Sequence, residues 1–285
     1  MSGEGHPSLG QAERLISSSA LSIRPFEGCP SPDIETAAYC AGVSSVRLDL
    51  EYDGRGFRGW ASQPGLRTVQ GELETALGTV LRAPVQLTVA GRTDTGVHAL
   101  GQVASFETKA ELPPDLARSL NGVGPDDIAV TAATVVAAGF DARRDARARA
   151  YVYRLEARRA PSPFERGRAL WWPHRIDREA LDACAAALPG NHDFTAFTPT
   201  QTDHVRFDRD ILKAAWTEEG DILSFRIEAD AFMRNMVRAL VGTQLEVASG
   251  RRTVENFKAL LGGAPRKEGG DTAPPHGLYL ESVRY

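Results

Sequence analysis

One carboxylate, one guanidinium and one imidazole stand together in the decapeptide Gly91-Arg92-Thr93-Asp94-Thr95-Gly96-Val97-His98-Ala99-Leu100, and the residues on either side confine that stretch to a tight turn. Upstream, Val85-Gln86-Leu87-Thr88-Val89-Ala90 alternates apolar and polar side chains as a half-buried strand does. Downstream, Gln102-Val103-Ala104-Ser105-Phe106 resumes a β pattern. Asp94 therefore lies on a short Gly-flanked connection at a strand exit, the kind of place where a rigid scaffold carries its chemistry. An aspartate in such a turn ordinarily caps its own backbone two residues on, so Asp94 taken alone keeps a structural reading beside the chemical one.

The rest of the chain reads as alternating strands and helices. Val46, Leu48 and Leu50 alternate with Arg47, Asp49 and Glu51, and Val69, Leu73, Leu77 and Leu81 fall four apart on one face of a helix over 68–81. Pro113-Pro114 opens a short helix through Leu120, and a strand follows at 127–130. From Tyr151 the order loosely repeats: a strand at 151–155, a helix at 178–188, strands at 211–217 and 222–227, helices at 232–249 and 254–261, and a strand at 278–283. This order predicts an α+β protein of two similar halves, 45–145 and 146–285, each an antiparallel sheet with helices on one face. Residues 1–44, rich in Ser, Gly and Pro, are expected to be a mobile extension with a short helix near 11–17.

No apolar run approaches the roughly 18 residues of a membrane span, and the N-terminus lacks the basic start and apolar core of a signal peptide. Three cysteines, Cys29, Cys40 and Cys184, are odd in number and without metal spacing, so a reducing cytoplasm is the expected compartment. The formal net charge of -4 argues against nucleic acid only weakly, because it says nothing about where the charges lie. Between 143 and 168 nine arginines (143, 144, 147, 149, 154, 158, 159, 166 and 168) face three acids, with Tyr151, Tyr153, Trp171 and Trp172 close by, a mixture suited to docking nucleic acid.

Gly54-Arg55-Gly56-Phe57-Arg58-Gly59 has the spacing of a dinucleotide fingerprint and follows a strand. Its context fails, because Trp60, Pro64 and Gly65 keep the chain in a loop where a helix should open on the glycines. Six scattered histidines include no pair at helical ligand spacing, and His98 is expected to orient its loop by hydrogen bonding rather than to bind metal. Arg234 and Arg238 fall one turn apart on an apolar segment, and a buried arginine needs an anion.

Taken in order, these segments resemble the tRNA pseudouridine synthases of the TruA family from about Val46 to Tyr285. The resemblance is carried by Leu50-Glu51-Tyr52-Asp53-Gly54 with Gly59-Trp60, by Thr68-Val69-Gln70, by Gly91 to Ala99 with Gly101-Gln102-Val103, and by Phe140-Asp141-Ala142-Arg143 through Arg154. Asp193 to Phe197, Met236-Val237-Arg238 with Val241-Gly242, and Ala273 to Leu278 complete it. It implies a pseudouridine synthase fold with a central cleft, and isomerisation of uridine in the anticodon stem-loop of tRNA, at positions thirty-eight to forty, by an enzyme without cofactor or metal. It further implies Asp94 as the catalytic carboxylate, Tyr151 as the aromatic stacked on the target uracil, Arg92 as the side chain that takes part in extruding that base, and Arg238 as the ion-pair partner of Asp94. A homodimer in which one tRNA touches both subunits belongs to the same expectation. Ala61, Thr95 and Arg144-Asp145 depart from the family's usual pattern. An RNA-binding module without catalysis and a nucleotide-dependent oxidoreductase using Gly54 to Gly59 are the rival readings, and Asp94→Asn and NAD or FAD binding separate them.

Overall fold

The computed structural model describes residues 42–202 and 205–285, so the expected N-terminal extension and its short helix lie outside the described residues. The elements follow as β1 (Ser44–Tyr52), α1 (Val69–Leu81), β2 (Thr88–Val89), β3 (His98–Thr108), α2 (Leu116–Val123), β4 (Ile128–Val136) and β5 (Ala148–Glu156). They continue with β6 (Leu170–Trp171), α3 (Arg178–Ala186), β7 (Gly190–Asp193), β8 (Asp208–Glu219), β9 (Ile222–Ala229), α4 (Met236–Ala248), α5 (Val254–Leu260) and β10 (Leu278–Arg284). None of the helices is long and apolar enough to cross a membrane.

Local signals account for most boundaries. In β1 the alternation buries Val46, Leu48, Leu50 and Tyr52 and leaves Arg47, Asp49 and Glu51 toward water. Thr68 caps α1 by accepting from the Gly71 N–H, and the helix buries Val69, Leu73, Ala76, Leu77 and Leu81, each fully buried Leu contributing about 1.5–3 kcal/mol. Asp115 caps α2 in the same way through the Arg118 N–H, which leaves Pro113 and Pro114 outside the helix. Between Val85 and Ala90 only Thr88 and Val89 form strand, because the Leu87 N–H is taken by the Glu74 carboxylate of α1.

The two sheets expected from sequence are one. Eight strands run in the order β4-β1-β3-β10-β5-β9-β8-β7, with β2 added on β3 and β6 on β5. β10 lies between the strands of the two segments, parallel to β3 (Tyr279 opposite His98, Leu280 opposite Ala99) and antiparallel to β5. The remaining main pairs are antiparallel, so the α+β class holds while the sheet runs through the boundary at 145. The strand order of a sheet is set by non-local pairing, which periodicity does not encode.

α4 is the central helix, buried at every position except Arg238. It packs on α3 and α5, and its Gly242 lets the segment before β10 run against it, since a Cβ there would come within 1.8 Å of the Asp271 carbonyl oxygen. Gly242→Ala should therefore force helix and segment apart, destabilising by about 2 kcal/mol or more. A fall in Tm of about 4–8 °C is expected by calorimetry for a chain of this length.

Candidate active site

The turn that carries Asp94 is held from below by polar side chains and from the side by backbone. The Gln102 amide donates to the Gly91 carbonyl at 2.7 Å and to the Tyr52 hydroxyl at 3.3 Å, and that hydroxyl meets Thr93 Oγ1 at 2.7 Å. Trp60 N–H donates to the Thr93 carbonyl, and Val97 N–H closes the turn on the Asp94 carbonyl. All three polar side chains are buried, and burial pushes the Tyr52 hydroxyl up to about 12, so it stays protonated and able to donate.

The loop over 54–59 packs against the other side of the turn. A Cβ on Gly54 would lie 2.0 Å from the Val97 carbonyl oxygen, and one on Gly59, which has φ +93°, would lie 2.9 Å from that of Thr93. The glycines of the apparent dinucleotide fingerprint thus allow a close backbone approach to the Asp94 turn, and they form only a single 3-10 turn over Gly54–Gly56 rather than the start of an α-helix. Gly54 N–H also donates to His98 Nδ1, while His98 Nε2 lies 3.1 Å from the Gly167 carbonyl. The neutral tautomer protonated on Nε2 satisfies both bonds, and burial pulls the imidazole below its ordinary pKa against the opposing charge of Asp53. His98 stacks on Tyr279 at 4.5 Å, so it orients the loop, as the sequence reading expects.

Asp94 faces two cations. Arg238 Nη1 lies 3.9 Å from its Oδ2 and Arg234 Nε 4.0 Å from its Oδ1. Both distances exceed a hydrogen bond, so the carboxylate oxygens are attracted but not tied up. Arg238 is held from behind by the Ala273 carbonyl (2.7 Å) and Asn235 Oδ1 (2.9 Å). Burial lowers its pKa, and the charge of Asp94 works against that. The expected helix start at Phe232 is corrected: α4 begins at Met236, after Asn235 in a left-handed conformation (φ 60°). This break sends residues 232–235 along the cleft, and Arg234 reaches Asp94 from outside the helix.

Tyr151 shares this cleft. Its ring is buried and packs edge-on against Phe232 at 5.0 Å and 80°, and its hydroxyl lies 3.5 Å from where a Cβ on Gly91 would stand. Burial, then the nearby Tyr52 and Asp94, raise the pKa of that hydroxyl. Arg92 is exposed on the rim and makes no ion pair or side-chain hydrogen bond among the described residues. All four residues expected at the site, Arg92, Asp94, Tyr151 and Arg238, therefore line one cleft of about 1640 Å³.

Seven arginines line it too, and Asp94 is the one acid among its described lining residues. Arg143 and Arg149 are the members of the 143–168 group that do so. Among the rest of that group, Arg154 pairs with Glu165, Arg158 with Asp221 and Arg144 with Asp145. The Tyr153 hydroxyl donates to the Pro274 carbonyl and the Trp171 indole to that of Arg158. Arg58, Arg209 and Arg234 supply further cleft charge, Arg234 beside Arg238 as the sequence pattern expects, whereas sequence reasoning missed Arg209, the supports Tyr52 and Gln102 and the Tyr151 neighbour Phe232. The Gly101-Gln102 pair just inside β3 was the available signal for Gln102.

Residues 184–285 match the family described as tRNA pseudouridine synthase. A tRNA pseudouridine synthase A of Frankia casuarinae is 45% identical over 251 residues, 86% of this chain and 90% of that one. The enzyme of that name from Streptomyces griseus is 43% identical (86% and 89% covered), and that from Bacillus subtilis 39% identical (84% and 98% covered). The chain belongs to the tRNA pseudouridine synthase A family and is an isomerase.

Tyr52→Phe leaves Thr93 Oγ1 and the Gln102 amide short of a buried partner, so a loss of about 1–3 kcal/mol is expected in urea unfolding. Turnover should fall with it as the Asp94 turn loosens, whereas unchanged stability and turnover would show that the hydroxyl supports nothing.

Proposed function

We propose that the chain converts uridine to pseudouridine in the anticodon stem-loop of tRNA, at positions thirty-eight to forty, with Asp94 as the catalytic carboxylate. The observation that carries this reading is that the single acid among the described residues lining an arginine-rich cleft lies beside Tyr151 and within 4.0 Å of two guanidinium groups. In the reaction the C1′–N1 bond breaks, the uracil turns, C5 bonds to C1′, and the proton on C5 is lost as N1 gains one. Nothing is oxidised or hydrolysed, so the atoms balance without a cofactor or metal. Asp94 serves either as the nucleophile at C1′ or as a base on the ribose.

Arg238 and Arg234 hold the carboxylate against the sugar, and Tyr151, braced by Phe232, offers a face to the extruded uracil. Extrusion costs a few kcal/mol, offset in part if the unpaired Arg92 fills the vacated place in the stack. Family membership supports tRNA as the partner, and the proposed working form is a homodimer in which one tRNA touches both subunits. The cytoplasm suits the free, buried Cys184.

Mapping of pseudouridine in purified unmodified tRNA tests the reading. Asp94→Asn should abolish product formation, by at least about a hundredfold, while tRNA affinity stays within a few-fold. Undiminished turnover would rule out the role given to Asp94, and loss of affinity alone would leave an RNA-binding module. Tyr151→Phe should keep most activity, whereas Tyr151→Ala should lose about 5- to 150-fold, the worth of one stacked base. Equal behaviour of the two variants would contradict stacking.

A further inference from the structure

Arg149 lines the cleft beside Tyr151, yet its guanidinium is fully engaged by protein. Nε and Nη2 donate to the Ala90 carbonyl at 3.2 and 2.9 Å, Nη2 also to that of Arg143 at 2.9 Å, and Nη1 to those of Ala146 at 3.1 Å and Asp230 at 2.9 Å. A guanidinium has five N–H donors, and all five are used. No carboxylate forms an ion pair with it among the described residues, and burial draws it below its ordinary pKa. A half-buried cation held by carbonyl dipoles, with the charge of Asp230 near but not in ion-pair contact, is costly to desolvate, so its retention calls for a specific gain.

The positions of the carbonyls supply that gain. Ala90 immediately precedes the Asp94 turn, and Asp230 leads into the segment bearing Arg234 and Arg238. Arg143 and Ala146 lie on the approach to β5, and Arg149 itself is fixed within β5 opposite Ala229 and Val283. One planar group therefore joins both flanks of the site. We infer that Arg149 is a positioning residue for the isomerisation, setting the distance between Asp94 and its two arginines without touching the RNA. The phosphate contacts fall instead to Arg58 and Arg143, which are exposed on the cleft and whose side chains make no hydrogen bond among the described residues.

The inference rests on the pseudouridine synthase reading, and kinetics on unmodified tRNA separate the two: a parent protein that makes no pseudouridine defeats the reading, whereas an active parent with an indifferent Arg149→Lys defeats only the inference. Lysine keeps the charge but has three donors and no planar fork. A shift of about 1 Å at a reacting centre can lower a rate about a hundredfold. Arg149→Lys should thus lose roughly 30- to 100-fold in kcat and Arg149→Gln at least as much, with KM, tRNA Kd and the salt slope of binding nearly unchanged. Arg143→Ala, by contrast, should raise KM and reduce the salt slope by about one. Amide exchange in Arg149→Lys should quicken in residues 91–97 and 230–236 together.

Unchanged kcat in Arg149→Lys overturns the assignment, as does a lysine variant with full activity beside an inactive glutamine one, which would make charge alone the requirement. A parallel loss of affinity and salt slope overturns it in favour of a phosphate ligand. If the glutamine variant does not fold, the lysine variant decides; if neither folds, Arg149 supports the whole domain and the specific role fails.

Discussion

The insertion of β10 between β3 and β5 is the pairing on which the site depends. It places Leu280 opposite both Ala99 and Tyr151, so the strand that leaves the Asp94 turn and the strand that carries the aromatic are held a fixed distance apart. The chain just before β10 takes part as well: the Ala273 carbonyl receives Arg238, and the Pro274 carbonyl receives the Tyr153 hydroxyl. Tyr279 on β10 stacks on His98, which in turn receives the Gly54 N–H. Residues separated by more than a hundred positions thus meet through one seven-residue strand.

The distribution of charge follows the same logic. The chain is acidic overall, with a formal net charge of -4, but among the described residues its cleft holds seven arginines and one aspartate. Elsewhere arginines are matched on the surface, as in Arg226 with Glu281, Arg284 with Glu228 and Arg178 with Glu218. Such exposed pairs contribute little to stability, commonly about 0–1 kcal/mol each. Their effect is to cancel charge outside the cleft, leaving the positive field where a polyanion would enter.

Much of this could be read from the residues in order. Alternation at Val46, Leu48 and Leu50 marked β1, the spacing of Val69 to Leu81 marked α1, and the Gly-flanked turn singled out Asp94, because local periodicity and turn chemistry are short-range properties. Three features escaped. The single sheet depends on β10 crossing from the far end of the sequence. The late start of α4 depends on Asn235 adopting a left-handed conformation, which an apolar pattern does not announce. The arginines of 143–168 looked alike as a charge run, but residue type does not reveal direction: Arg149 turns inward onto carbonyls while Arg154 turns to Glu165.

Because β10 is synthesised after the other nine strands, its place in the middle of the sheet has a consequence for biogenesis. A nascent chain ending before Leu278 has β3 and β5 with facing edges unfilled, so the strand leaving the Asp94 turn and the strand carrying Tyr151 are not yet joined. Closing that slot pairs residues far apart in sequence, a high-contact-order step of the kind that is slow. The spacing between the Asp94 turn and Tyr151 is therefore fixed only once the last strand of the chain is in place.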